Sequence, residues 1–233
     1  MINPTPIHAV LFDLDGTLLD TAPDLVLALN NLLQHYNKPA VELSKLRHLA
    51  SQGSVALTRY GFPEVTDSQQ FEQLRQEYLQ HYAETVCVDT KLFSGMETLL
   101  ETIEAQNTPW GIVTNKPAKL TESLLDKLAL SQRPACVVSG DTLARRKPYP
   151  DPLFHASQSI DLSPHNTIYI GDDPRDIYAG NAAGMYTCVA RYGYIESNID
   201  TDQWGADFTI NSPLELLNHI QLSAPINEMG TRT

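Results

Sequence analysis

Two carboxylates, Asp13 and Asp15, stand one residue apart and are followed at once by Gly16 and Thr17. In an extended chain alternate side chains point to one side, so these charges share a face and repel unless a cation lies between them. Gly16 lets the backbone turn and approach closely, and Thr17 adds a hydroxyl. A second acidic group follows Gly171: Asp172, Asp173 and, after Pro174-Arg175, Asp176. Such a group is costly without a cation, and Mg2+ is a hard ion that takes oxygen ligands. Asp172, beside a flexible Gly, is the first candidate ligand. Asp173 and Asp176 are further candidates, on or behind the metal, or caps of the helix that Pro174 opens.

Opposed to these acids is the densest basic cluster of the chain, Arg145-Arg146-Lys147-Pro148. An ammonium such as Lys147 is a compact charge suited to a transferring phosphoryl group. Thr114-Asn115-Lys116-Pro117 offers a hydroxyl and an amide where a helix begins, which suits either a phosphate site or a helix cap.

Each of these groups closes a short apolar run. Ile7–Phe12 precedes Asp13, 110–114 ends in Thr114, 135–139 precedes the basic cluster, and 167–171 precedes Asp172. Short runs of this kind read as buried strands. Between them, residues 94–106, 117–130, 151–161 and 174–184 carry helical period, and strands at 186–190 and 207–210 and a helix at 213–222 follow. Strands alternating with helices predict an α/β fold, a doubly wound parallel sheet of Rossmann-like type. Ligands then bind at the carboxyl edge of that sheet.

The first strand and the next are separated by a block without strand character. Leu25, Leu29, Leu32 and Leu33 predict a helix to about Tyr36, with Thr21 as its cap, followed by helices at 40–50, 53–60 and 67–86. This is too long for an ordinary crossover and reads as an inserted helical domain. The expected organisation is a core of residues 1–17 and 90–223, a helical insert of 18–89, and a loose tail of 224–233.

The net charge of −12 argues against sequence-independent nucleic-acid binding. No apolar run approaches the roughly 20 residues of a membrane span, and no secretory signal is visible at the N-terminus. Cys87, Cys136 and Cys188 are odd in number and widely spaced, as reduced thiols are. The expectation is a cytoplasmic protein, monomeric or weakly dimeric.

Asp13-x-Asp15-Gly16-Thr17, Thr114-Asn115, Lys147-Pro148 and Gly171-Asp172-x-x-x-Asp176, in this order, resemble the full signature set of the haloacid dehalogenase-like phosphatases. The likeness runs from about Ile7 to Ile220, and the helical insert is similar to that superfamily's cap. Within it the chain is most similar to the phosphoglycolate phosphatase branch. Leu18-Leu19-Asp20-Thr21, Arg191-Tyr192-Gly193-Tyr194-Ile195 and Trp204-Gly205-Ala206-Asp207 also resemble the N-acetylmuramic acid 6-phosphate phosphatases of that branch. Asp173-Pro174 after Asp172 departs from many relatives.

The resemblance implies a Mg2+-dependent phosphomonoesterase acting on a small phosphorylated metabolite. Asp13 is implied as the nucleophile that forms an aspartyl-phosphate, and Asp15 as the acid and then the base. The metal ligands implied are Asp13, Asp15 through its backbone carbonyl, and Asp172. Thr114, Asn115 and Lys147 are implied to hold the phosphoryl oxygens. A haloalkanoate dehalogenase would not need Asp15 as an acid. A sugar-phosphate mutase shares the core motifs, and a non-enzymatic phosphoacceptor module would lack the insert.

Selectivity is expected from the insert and from loops facing it. Ser51-Gln52-Gly53-Ser54, with Arg47 and His48 just before, is the candidate there, and Arg191 with Tyr192 and Tyr194 on the core side. An Arg beside two aromatics suits a substrate with a carboxylate and a sugar ring. That ranks N-acetylmuramic acid 6-phosphate slightly ahead of 2-phosphoglycolate.

Overall fold

A computed structural model describes residues 5–224; most of the expected loose tail, 225–233, lies outside the described residues. Ten strands and eight α-helices follow in chain order: β1 Thr5–Ile7, β2 Ala9–Phe12, β3 Leu19–Asp20, α1 Ala22–His35, α2 Leu43–Leu46, α3 Gly53–Gly61, α4 Ser68–Thr85, β4 Lys91–Leu92, α5 Met96–Ala105, β5 Trp110–Val113, α6 Ala118–Lys127, β6 Cys136–Val138, α7 Asp151–Ser159, β7 Thr167–Gly171, α8 Pro174–Ala183, β8 Tyr186–Ala190, β9 Phe208–Ile210 and β10 Ile220–Leu222. Six of the strands form one parallel sheet in the order β6-β5-β2-β7-β8-β9.

β2 is wholly buried because both its faces are covered. Val10 and Phe12 face one apolar cluster with Leu99, Ile103 and Leu124 of α5 and α6. Leu11 faces the other, with Leu153 of α7 and Ala179 of α8. This alternation is the period of two of an extended chain, and it places helices on both sides of the sheet. Phe12 meets Trp110 edge to face with centroids 6.3 Å apart.

Register sets the site. Phe12 pairs with Ile112 of β5 and Ile170 of β7, so the strands end level and Asp13, Thr114 and Asp172 leave the same edge. The Asp13 N–H still donates to Ile170 O at 2.8 Å, and the Thr114 N–H to Val138 O at 2.9 Å.

Helices α1, α3 and α4 pack on one another above that edge. Tyr78 and Tyr82 of α4 are fully buried, and Tyr78 donates to Leu25 O. The block is flanked by β3 and β4, which pair antiparallel through Leu19–Leu92 and Asp20–Lys91. Two residues carry no period, so these strands were not expected. Asp24, buried in α1, accepts from the N–H groups of Val88, Asp89 and Thr90 and from the Thr90 hydroxyl. One carboxylate thus fixes the returning chain to the start of the block.

Three expectations change. Thr21 does not cap α1, since its hydroxyl donates to Asp15 Oδ1 at 2.6 Å. The Tyr194 hydroxyl instead accepts from the N–H groups of Thr21 and Ala22 at 2.7 and 2.8 Å. Residues 40–50 form only the short α2 and then a 3-10 turn, Arg47–Gln52. The helix expected at 213–222 is a 3-10 segment, Pro213–Asn218, and then β10, which pairs with β1. Ile220 is buried and Gln221 exposed, so the free edge of β1 outweighs the helical period.

Candidate active site

At the carboxyl edge of β2 lies a cavity of about 380 Å³. Asp13 and Asp15 line it from β2, Thr114, Asn115 and Lys116 from β5, Lys147 from the loop after β6, and Asp176 from α8. Its opposite wall is Ser51–Val55 with Arg75, Tyr78, Leu79 and Tyr82 of α4.

Lys147 is at the centre. The three N–H donors of its Nζ are shared among four oxygens, Asp13 Oδ1 at 2.8 Å, Asp176 Oδ1 at 2.7 Å, the Tyr169 hydroxyl at 2.7 Å and Val113 O at 3.0 Å. Burial favours the neutral amine, but the Asp13 and Asp176 charges outweigh it and raise the ammonium pKa. Lys147 is therefore a fixed cation in an acidic chain. Asp176 does more than bind it, because its Oδ2 accepts from the Asp173 N–H in a capping box that starts α8. Asp173 pairs with Arg175 at 2.7 Å and is not one of the three clustered carboxylates.

Asp13, Asp172 and Asp176 each present a carboxylate oxygen within 4.8 Å of the others, and all three are buried. Burial pushes the Asp13 carboxyl up to about 7, against the pull of Lys147. Asp172 is raised well above the carboxylate range, by burial first and then by Asp13. Lys147 alone does not balance this charge. The donor set, hard and anionic, fits a divalent cation. A side chain at Gly16 (φ +89°) would strike the Asp172 carboxylate at 2.2 Å, and one at Gly193 would strike the Gly16 carbonyl at 2.3 Å. The backbone is packed onto the carboxylate with no room for a Cβ.

Asp15 points elsewhere. Lys116 Nζ lies 2.9 and 3.3 Å from its two oxygens, and Thr21 Oγ1 2.6 Å from the first. Its side chain is not part of the three-carboxylate cluster. The Lys116 side chain is 5% exposed and its Nζ lies over the Tyr82 ring, 4.4 Å from the centroid.

Thr114 Oγ1 accepts from the Lys116 N–H, which leaves its own proton for a bound oxyanion. Asn115 donates to Lys147 O at 3.0 Å, while its Oδ1 is buried without a protein partner. Asn115 thus also holds the Lys147 loop.

A family model of the haloacid dehalogenase-like hydrolases matches residues 10–190. The chain belongs to that family. The hydrolase is 41% identical over 210 residues to an N-acetylmuramic acid 6-phosphate phosphatase of Pseudomonas putida, covering 90% of this chain and 94% of the relative. It is also 41% identical to a phosphoglycolate phosphatase of Xanthomonas campestris over 209 residues, with the same coverage of both chains. These relatives make it an enzyme of the phosphoric monoester hydrolase class. A solved structure described as a predicted phosphoglycolate phosphatase from Haemophilus somnus superposes with a TM-score of 0.81 at 26% identity, covering 91% of this chain and 97% of that one.

In the hydrolase, the loop after β8 does not face the cavity. Arg191 donates to Ile199 O, Thr201 Oγ1 and Ser197 O, which places it in its own loop and corrects its expected place at the substrate. Tyr192 donates to Thr17 O, and Tyr194 braces the start of α1 while its N–H donates to Asp172 Oδ2 at 3.0 Å. Arg47 likewise binds Asp20 at 2.8 Å and His48 sits 3.7 Å from Glu196. Ser51 does reach the site, donating to Asp172 Oδ2 at 2.6 Å. Lys116, Tyr169 and Arg75 were missed. Lys116 alone left a signal, as a Lys beside the Thr-Asn pair.

Proposed function

We propose that the hydrolase is a Mg2+-dependent phosphomonoesterase that works through an aspartyl-phosphate on Asp13. The observation that carries this is Asp13 itself: a buried carboxylate held by Lys147 at 2.8 Å, within 4.8 Å of two other carboxylates, on the wall of a cavity. Its free oxygen attacks phosphorus, the phosphorus–oxygen bond to the leaving alcohol breaks, and the electron pair leaves with that oxygen. Asp15, on the same cavity wall, supplies the proton to the alcohol oxygen and later takes one from water. Lys147 and the Thr114 hydroxyl stabilise the charge on the remaining phosphoryl oxygens. Mg2+ would be held by Asp13, Asp172 and the Asp15 carbonyl, and would offset repulsion between carboxylate and phosphate.

Residues 18–89 act as a cap over a core of residues 1–17 and 90–223. Ser51 touching Asp172 and Tyr82 touching Lys116 support this, since both contacts join the insert to the catalytic edge.

As substrate, N-acetylmuramic acid 6-phosphate ranks ahead of 2-phosphoglycolate. The cavity of about 380 Å³ is within the range of about 300–1,000 Å³ usual for small-molecule sites, far more than a two-carbon acid fills. Leu25, Tyr78, Leu79, Tyr82 and Leu120 give it an apolar wall suited to a ring and an acetamido methyl. The test is phosphate release from both compounds with Mg2+ present. A higher kcat/KM for the sugar ester is expected, and a preference for phosphoglycolate would overturn the choice of substrate.

A further inference from the structure

The cavity has more cations than a phosphoryl group needs, and they are not equivalent. Lys147 is committed to Asp13 and Asp176, and Lys116 to Asp15. Arg175 is tied to Asp173 and to Ser51 O at 2.8 Å. Arg146 is exposed, in the same loop as Lys147. These four belong to the core side, where the phosphoryl group sits. Among the described residues lining the cavity, Arg75 is the cation of the opposite, helical wall.

Arg75 is held like a recognition group. Its Nε and Nη2 donate to the two oxygens of Glu72 at 2.8 and 2.6 Å, one turn away on α4. This fork fixes the plane of the guanidinium and with it Nη1, which donates to Ser54 Oγ at 3.2 Å. Three of its five N–H groups are then used, and the other two, with the Ser54 hydroxyl, are available beside the cavity. The Glu72 side chain is 53% exposed, so water screens much of its charge. Along α4, Tyr82 lies over Lys116 at the catalytic edge, and Tyr78 with Leu79 and then Arg75 follow at steps of one turn away from it.

The order across the cavity is therefore phosphoryl site, apolar wall, planar cation. A matching ligand has a phosphate ester at one end, an apolar or ring-shaped middle, and a planar anion at the other. Both curated relatives described above carry names of phosphate esters that also bear a carboxylate, and a guanidinium fork is the side chain best matched to that group. Arg191, the other candidate for it, is spent on its own loop.

We propose that Arg75 and Ser54 form a carboxylate subsite in the helical wall, which makes the enzyme selective for phosphate esters carrying a second, carboxylate, anion. This rests on the phosphomonoesterase reading and names the group by which it selects among esters.

The test uses the full chain with Mg2+ and two esters that differ only in the carboxylate arm: N-acetylmuramic acid 6-phosphate and N-acetylglucosamine 6-phosphate. The wild type favours the first. Arg75→Leu should lower the ratio of the two kcat/KM values about 30-fold, the size expected for one lost charge-assisted contact, with most of the change in KM. Arg75→Lys, which keeps the charge but not the fork, should fall between. Ser54→Ala leaves the Arg75–Glu72 fork in place and should lower the ratio about threefold, which covers the case of an unfolded Arg75 variant. The proposal is overturned if the ratio is unchanged in both Arg75→Leu and Ser54→Ala, if it collapses in Arg146→Leu instead, or if the wild type releases phosphate equally from both esters. A wild type that hydrolyses neither ester, nor 2-phosphoglycolate, overturns the phosphatase reading itself.

Discussion

Lys116 Nζ sits 2.9 Å from Asp15 Oδ1, and the two residues are 101 positions apart in the chain. The same oxygen accepts the Thr21 hydroxyl at 2.6 Å. Asp15 is thus held by the second strand of the core on one side and by the entry to the helical block on the other. Lys116 also lies over Tyr82 of that block, so the proposed acid of the reaction is positioned by groups from both parts of the chain.

Lys116→Met should therefore misplace Asp15 without removing it. The effect should depend on how much the leaving group needs a proton. A fall of about tenfold or more in kcat is expected for alkyl phosphates, and a clearly smaller one for p-nitrophenyl phosphate. Equal losses on both kinds of ester would assign Lys116 to binding instead.

Lys147→Ala removes a cation that serves two buried carboxylates and a tyrosine. Activity should fall at least about a hundredfold, as when one preorganised donor is lost. The fold should suffer as well, by about 3–5 kcal/mol, because Asp13 and Asp176 are left buried without their partner. Urea unfolding and initial rates measured together check both. A variant that is inactive but fully stable would show that the ion pair contributes nothing to folding.

The metal-free protein should lose stability as pH rises from about 4 to about 7. The Asp13 carboxyl is raised from its ordinary value of 3.8 to about 7 in the folded protein, and Asp172 is raised too. In that window the unfolded chain has released protons that the folded one still holds, so the slope of stability against pH is negative. For Asp13, both states are protonated below that window and both are ionised above it. Mg2+ bound at the cluster would offset the repulsion between the ionised carboxylates. Its stabilising effect, read as a rise in Tm, should accordingly be larger at pH 8 than at pH 5. An equal rise at both values would contradict the assignment of the cluster as the metal site.

Asp24→Ala should destabilise the junction of the helical block. It leaves three backbone N–H groups and a hydroxyl without their acceptor, a loss of about 3 kcal/mol or more. Urea unfolding checks it, and a change below about 1 kcal/mol would show that water replaces the carboxylate.

What was legible in the sequence follows from locality. Asp13, Thr114 and Asp172 each stand one position past a strand, and level strand ends in a parallel sheet bring such positions together. The apolar runs that give those strands are written in consecutive residues. Side-chain direction is not. Arg191 leaves β8 at the expected edge yet turns into residues 197–201, because nearby carbonyls compete for its guanidinium. Thr21 looks like a cap and bonds Asp15, while Tyr194, 173 positions away, does the capping. Arg75 lies on a helix of the insert, and only the packing of that helix against the sheet brings it to the cavity. The strand β10 lies where a helix is expected, and its partner β1 is at the other end of the chain, out of reach of local pattern.

The most direct test of the central claim is to find the phosphoryl group on the protein. The enzyme is mixed with p-nitrophenyl phosphate and Mg2+, quenched in acid within one turnover, and its peptides are weighed, with Asp15→Asn used to slow the attack of water. The account predicts one phosphoryl group on the peptide that contains Asp13, with none in Asp13→Asn. Phosphate release by a protein that never carries that group, or a label that persists in Asp13→Asn, would contradict it.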